Sequence, residues 1–266
     1  MAKIKEQHMA LSSGVGLAGH AVTNFWEFKD EIFDCYKEEM IDSAFKPKKF
    51  TAVHYLLEFF QDFYEDFSHL ESVDAYEYAE RTLNEVNLYP ELPKPNFEKC
   101  GDEHGHHDCE CADIIEQWVD YSKKHASKID ELVVHSAFQF VFQDRKFLHD
   151  FHLEFSKVVE QRLDYIQEHY SQYLTQKGRL KRQNFPEWLK SAVFHRDKGT
   201  CVICRCDLSN LIRQQNQINI DHIIPLKVYG TNDTSNMQLL CSTCNQSKGD
   251  RTTETSSINV PFWNME

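Results

Sequence analysis

Two CxxC pairs, Cys201/Cys204 and Cys241/Cys244, constrain this chain more than any other feature of it. A two-residue gap lets both thiolates of a pair reach one ion. Four thiolates then complete a tetrahedral Zn²⁺ shell with no open position, which marks a structural site rather than a catalytic one. The pairs bracket 36 residues, so whatever folds between them is held at both ends.

The intervening stretch alternates apolar runs with turn residues. INIDHIIPL carries Asp221 and His222 inside an apolar run, stopped by Pro225, which cannot donate to a sheet ladder. Gly230, Asn232 and Asp233 supply turn chemistry. Asn236 precedes the apolar pair Leu239 and Leu240, and Asn245 follows Cys244 directly. Lys248 and then Gly249 stand where a short helix would end. The expected layout is strand, turn, strand, short helix, with zinc fastening the helix to the hairpin. Neighbouring strand residues point to opposite faces, so Asp221 and His222 can serve one site only if the strand ends or distorts there.

These residues, with the lead-in at 192–200, resemble an HNH endonuclease domain, the ββα-metal nuclease fold in its zinc-knuckle form. His222 matches the first His of the motif, Asn236 the central Asn and Asn245 the last position, giving an H-N-N variant. The resemblance implies hydrolysis of phosphodiester bonds, with DNA as substrate and RNA as the alternative. It casts His222 as the base that accepts a proton from water, and Asn236 as the residue that holds the loop and orients His222. The carboxylate of Asp221 and the amide oxygen of Asn245 suit a hard ion, Mg²⁺ or Mn²⁺. Lys248 is a candidate phosphate contact or a solvated helix lysine. A module that keeps the zinc knuckles but binds nucleic acid or protein without cutting is the competing class.

The fold expected for the whole chain is a mostly α N-terminal domain plus a small α+β C-terminal ββα-metal (HNH) domain stapled by a four-cysteine zinc site. The net charge of −13 is unevenly spread. From Lys177 to Glu266 there are 12 lysines and arginines against 8 aspartates and glutamates, a net +4, so the rest of the chain holds −17. The basic excess lies with the nuclease-like stretch, where phosphate contacts are needed. The acidic part repels nucleic acid and suits a protein partner, self-association or restraint of the nuclease.

The boundaries read from sequence are a flexible arm at 1–23, a helical regulatory or partner-binding domain at 24–175, and a basic linker at 176–190. The nuclease domain follows at 191–251, with a tail at 252–266 in which Phe262 and Trp263 are candidates to dock back. GVGLAG (14–19) has part of the look of a phosphate loop but lacks the flanking strand and the GK[ST] ending, and is assigned to the arm. Helical spacing runs from Asn24, from Phe50 to about Phe67, over Val73–Val86, and from Ala112 to Gln176. In the linker Arg179, Lys181 and Arg182 are candidates to follow a phosphate backbone. His149 and His152 are read as helix histidines. The segment CGDEHGHHDCEC (100–111) offers Cys100, His104, His106, His107, Cys109 and Cys111, either as a metal site or as a polar surface loop. The cysteine usage suits a reducing cytoplasm, with no secretory signal and no apolar run long enough for a membrane span. A helical domain joined to such a nuclease suggests a prokaryotic defence or mobile-element effector.

Overall fold

Apolar residues recurring every three to four positions become helices through most of the first 170 residues, as that period requires. The structure, a computed structural model, describes residues 11–100, 106, 109–209 and 217–256. His104, His107, Phe262 and Trp263 lie outside the described residues. The chain divides into two compact units, one formed by residues 1–24 and 56–140, the other by 25–55 and 141–266. This division departs from the boundaries expected at 24–175 and 191–251. It puts residues 25–55 and 141–175 in one unit with the nuclease-like stretch.

In the first unit, the helices Ser72–Glu85 and Glu110–Lys124 pack side by side. Trp118 is fully buried between them, with the Tyr76 ring edge-on at 5.3 Å. Its indole N–H donates to Pro93 O at 2.7 Å, so the polar handle of this aromatic is satisfied inside the core. Part of the arm expected at 1–23 is instead helical, since Leu11–Cys35 forms one continuous helix. Gly14, the first glycine of GVGLAG, lies so close to Ser136 that an added Cβ would meet the serine Cβ at 2.6 Å. That glycine serves helix packing, not phosphate binding.

The second unit has an aromatic core of Phe25, Phe33, Phe147, Phe151 and Phe155, all buried. Phe33 and Phe155 stack at 5.9 Å, and Phe25 meets Phe147 edge-on at 5.6 Å. The helix Arg145–Gln161 begins at Asp144, whose carboxylate accepts from Phe147 N. Beneath it lies a buried charge network. Asp197 accepts from Arg145 Nη1 and Arg196 Nε, each at 2.9 Å, and from Leu239 N at 2.9 Å. One carboxylate thereby ties the helix Arg145–Gln161 and the helix Glu187–Arg196 to the two-stranded sheet that carries Leu239.

That sheet has two antiparallel strands, β1 (Ile218–His222) and β2 (Met237–Cys241), in the register Ile218↔Cys241 to His222↔Met237. The helix Ser242–Lys248 follows β2 directly, and Gly249, at φ +53°, ends it. The unit thus contains the strand, turn, strand and short helix expected from sequence.

Candidate active site and zinc knuckle

The knuckle is assembled from two places. Arg205, at φ +63°, turns the chain after the first pair, and Arg205 N donates to Cys201 O at 2.9 Å. Val202 N donates to Leu239 O at 3.0 Å, which hangs this turn on β2. Cys241 closes β2 and Cys244 sits in the first turn of the following helix. The four sulfurs lie within 4.8 Å of one another. A tetrahedron with Zn–S near 2.3 Å has S···S edges of about 3.8 Å. The Cys204–Cys241 separation is 3.7 Å, so these residues fit zinc.

β1 ends at His222, where bends at Ile223 and Ile224 and then Pro225 take the chain out of the sheet. Asp221 and His222 are both still paired in the sheet, opposite Gln238 and Met237, and the bend follows them. Asp221, His222 and Asn245 line one open cavity of about 420 Å³, together with Arg182 and Lys227. The returning loop 223–236 is held by Asn236, which is fully buried. Its Oδ1 accepts from Ile224 N at 2.9 Å, and its Nδ2 donates to Ile224 O at 3.1 Å and Thr231 O at 2.9 Å. Tyr229 at φ +62° makes the turn, and Gly230 follows where an added Cβ would lie 1.8 Å from Ile224 O.

Asn236 holds the loop, but the side chain beside the His222 ring is Asn232. Asn232 Oδ1 lies 3.3 Å from His222 Nε2. The amide orientation is set from behind, because Asn232 Nδ2 donates to Lys181 O at 3.0 Å and Phe45 O at 3.2 Å. With the amide oxygen facing the ring, Nε2 must carry the hydrogen, which leaves the Nδ1 lone pair to accept a proton. Burial, then the nearby Arg182 charge, push the His222 pKa down to about 4, so the ring is neutral at pH 7. Phe185 packs on it at 5.6 Å. From sequence Asn232 reads only as a turn residue. Two asparagines four apart in GTNDTSN are the available signal, and nothing in their spacing says which one turns toward the histidine.

Lys248 departs most from expectation. It is buried, not solvated or facing a phosphate. Its Nζ lies 2.8 Å from Asp221 Oδ2 and donates to His222 O at 2.8 Å. A position one turn after Asn245 on so short a helix points back under β1, which is why the ammonium meets the carboxylate. The fit to a hard divalent ion rests on the donor set: one carboxylate, one amide oxygen and a cavity open to water.

The basic stretch expected as a linker is ordered. Residues 173–181 form a small hairpin, with Lys181 N donating to Tyr173 O at 2.7 Å and Gly178 at φ +67° in the turn. Arg182 then reaches the cavity while its Nη2 donates to Ile220 O at 3.0 Å. Arg179 stacks on Tyr229 at 3.6 Å and donates to Lys227 O at 2.8 Å. Lys181 donates to Gln172 O at 2.9 Å and is exposed. Of the three, Arg182 lines the cavity.

Residues 201–251 match the family model for HNH endonuclease. No curated protein and no solved structure matches the chain at a significant level. The HNH match covers both CxxC pairs, both strands and the short helix, and suggests a nuclease. It leaves the helices of the same unit without a family, although they hold the HNH loop. Asn232 N donates to Ala44 O at 2.9 Å, and Asp233 Oδ2 accepts from Ala52 N at 2.8 Å. His152 Nε2 meets Ser235 Oγ at 2.8 Å. Ser235 Oγ in turn donates to Asp233 Oδ1, so His152 carries its hydrogen on Nε2. His152 Nδ1 is left buried without a partner among the described residues. Among the described residues no helix is long and apolar enough to cross a membrane.

Proposed function

We propose that this chain is a metal-dependent endonuclease that hydrolyses phosphodiester bonds of DNA, with Mg²⁺ or Mn²⁺ held by Asp221 and Asn245. The observation that carries the reading is the convergence of Asp221, His222, Asn245 and Arg182 on one open cavity beside a zinc knuckle. His222 takes a proton from water at Nδ1, while Asn232 keeps the hydrogen on Nε2 and so holds the ring in the tautomer that can do this. Arg182 presents its guanidinium to a phosphate oxygen at the cavity rim. When bound, the divalent ion supplies the charge that offsets the developing negative charge on the phosphate and the leaving 3′ oxygen.

The acidic remainder of the chain supports a protein partner or self-association there, not a second nucleic-acid surface. A nuclease carried on unmatched helices fits a defence or mobile-element effector working in a reducing cytoplasm. The test is a substrate panel of supercoiled plasmid, linear duplex and structured RNA, incubated in Mg²⁺, in Mn²⁺ and in EDTA. Metal-dependent loss of supercoiling is the expected result. Degradation of RNA alone would replace DNA as the substrate, and no cleavage of any substrate by folded, zinc-loaded protein would favour the non-catalytic module.

A further inference from the structure

The first unit contains a second cluster of soft ligands, outside the residues of the HNH match. Cys100 ends the short helix Phe97–Cys100, Cys109 is the residue before the helix Glu110–Lys124, and Cys111 lies buried in that helix's first turn. His106 comes between them. One ligand atom from each of Cys100, His106, Cys109 and Cys111 lies within 4.8 Å of all the others. His106 Nδ1 is 2.7 Å from Cys100 Sγ and 3.6 Å from Cys109 Sγ. A tetrahedral zinc with Zn–S near 2.3 Å and Zn–N of about 2.0–2.1 Å sets S···N edges of about 3.6 Å, which the Cys109 separation meets, while Cys100 Sγ and His106 Nδ1 must move apart to admit the ion. We propose that Cys100, His106, Cys109 and Cys111 hold a second structural zinc ion.

Two further observations point the same way. His106 adopts φ +59°, a left-handed conformation uncommon for a residue with a Cβ. Coordination by Nδ1 is consistent with a backbone held in that conformation. The helix Phe97–Cys100 has four residues and buries none of them. So short a helix has no stability of its own, and its Phe97 ring meets the buried Tyr76 ring edge-on at 5.9 Å. A metal bond from Cys100 to the start of the helix Glu110–Lys124 adds a second attachment. The Phe97 ring lies 4.8 Å from the His106 imidazole and covers one side of the cluster. Four protein ligands leave no open position, so the ion shapes the unit and does no chemistry. Pairing two of the thiols as a disulfide would strand the third and the imidazole, whereas zinc uses all four.

The test is zinc content per chain, measured on full-length reduced protein after passage over a chelating resin, with X-ray absorption at the zinc edge. Two zinc ions per chain are expected, with about seven sulfurs to one nitrogen across the two shells. The double variant Cys109→Ser/Cys111→Ser is expected to retain one ion with an all-sulfur shell, and Cys241→Ser/Cys244→Ser one ion with mixed sulfur and nitrogen. If a variant fails to fold, the wild-type stoichiometry and shell still decide. One ion per chain with sulfur ligands only would overturn the proposal, as would two ions retained in Cys109→Ser/Cys111→Ser. Neither outcome depends on whether the HNH site cuts.

Discussion

Replacing Lys248 with methionine keeps the length of the side chain and removes its charge. In the intact protein the Lys248 side chain is fully buried and its ammonium lies 2.8 Å from Asp221 Oδ2. At an effective dielectric of about 20 their attraction is about 6 kcal/mol, much of it offset by the cost of taking both charges out of water. Removing one partner leaves Asp221, among the described residues, with the Gln238 amide at 3.4 Å as its side-chain hydrogen-bond partner. Breaking a buried pair in this way costs about 3–5 kcal/mol, which in a domain of roughly 150–250 residues lowers Tm by about 6–20 °C. The same carboxylate is the one assigned to the divalent ion, so added Mg²⁺ should return the missing positive charge. Calorimetric unfolding of wild type and Lys248→Met, in EDTA and in excess Mg²⁺, reads both effects. The expected pattern is a large loss in EDTA that Mg²⁺ partly restores, with a greater Mg²⁺ effect on the variant than on wild type. A loss below about 1 kcal/mol in EDTA, or an equal Mg²⁺ shift in both proteins, would show that the ammonium does not hold Asp221 in this way.

Three other perturbations follow from the same geometry. His152 is buried, and burial pushes its pKa down to about 3, below its unfolded value near 6.5. The unfolded chain therefore binds a proton that the folded chain does not, and stability falls as pH drops from 6.5 toward 3. The slope reaches about 1.4 kcal/mol per pH unit for His152, with a similar one for His222 down to about pH 4. His152→Gln should remove one of the two, read as a shallower decline of the urea midpoint between pH 6.5 and 5 than in wild type. Gly230→Ala forces a Cβ into Ile224 O, and we expect a loss above about 2 kcal/mol in urea unfolding together with loss of cleavage. A variant as stable as wild type would mean the loop has room that the structure denies. Asn232→Ala frees the His222 ring to take either tautomer, and single-turnover plasmid cleavage should slow by about ten- to a hundredfold. An unchanged rate would assign the orientation of His222 to another residue.

What is legible in the sequence is what local chemistry dictates. The knuckle depends on two-residue gaps, and the end of β1 depends on Pro225 and the bends before it. The end of the last helix depends on Gly249. What escapes the sequence depends on partners far along the chain. Asn232 and Asn236 are alike in type and both buried, and Phe45 O and Lys181 O decide which one faces His222. Lys248 carries the same residue type as a solvated lysine, and only the position of its helix under β1 turns it inward. GVGLAG reads as loose because glycine is permissive, yet Gly14 is explained by a neighbour more than a hundred residues away, Ser136. The hairpin at 173–181 is hidden by its charge, since a run of lysine and arginine gives no sign of the backbone pairing beneath it.

Whether His222 and a divalent ion together cut DNA is decided by single-turnover cleavage of supercoiled plasmid by wild type and His222→Ala, with Mg²⁺ and with EDTA. The expected result is cleavage that requires the ion and falls by about a hundredfold or more in the variant, whose zinc content is unchanged. Cleavage that persists in His222→Ala, or that proceeds equally in EDTA, would contradict the proposed nuclease site.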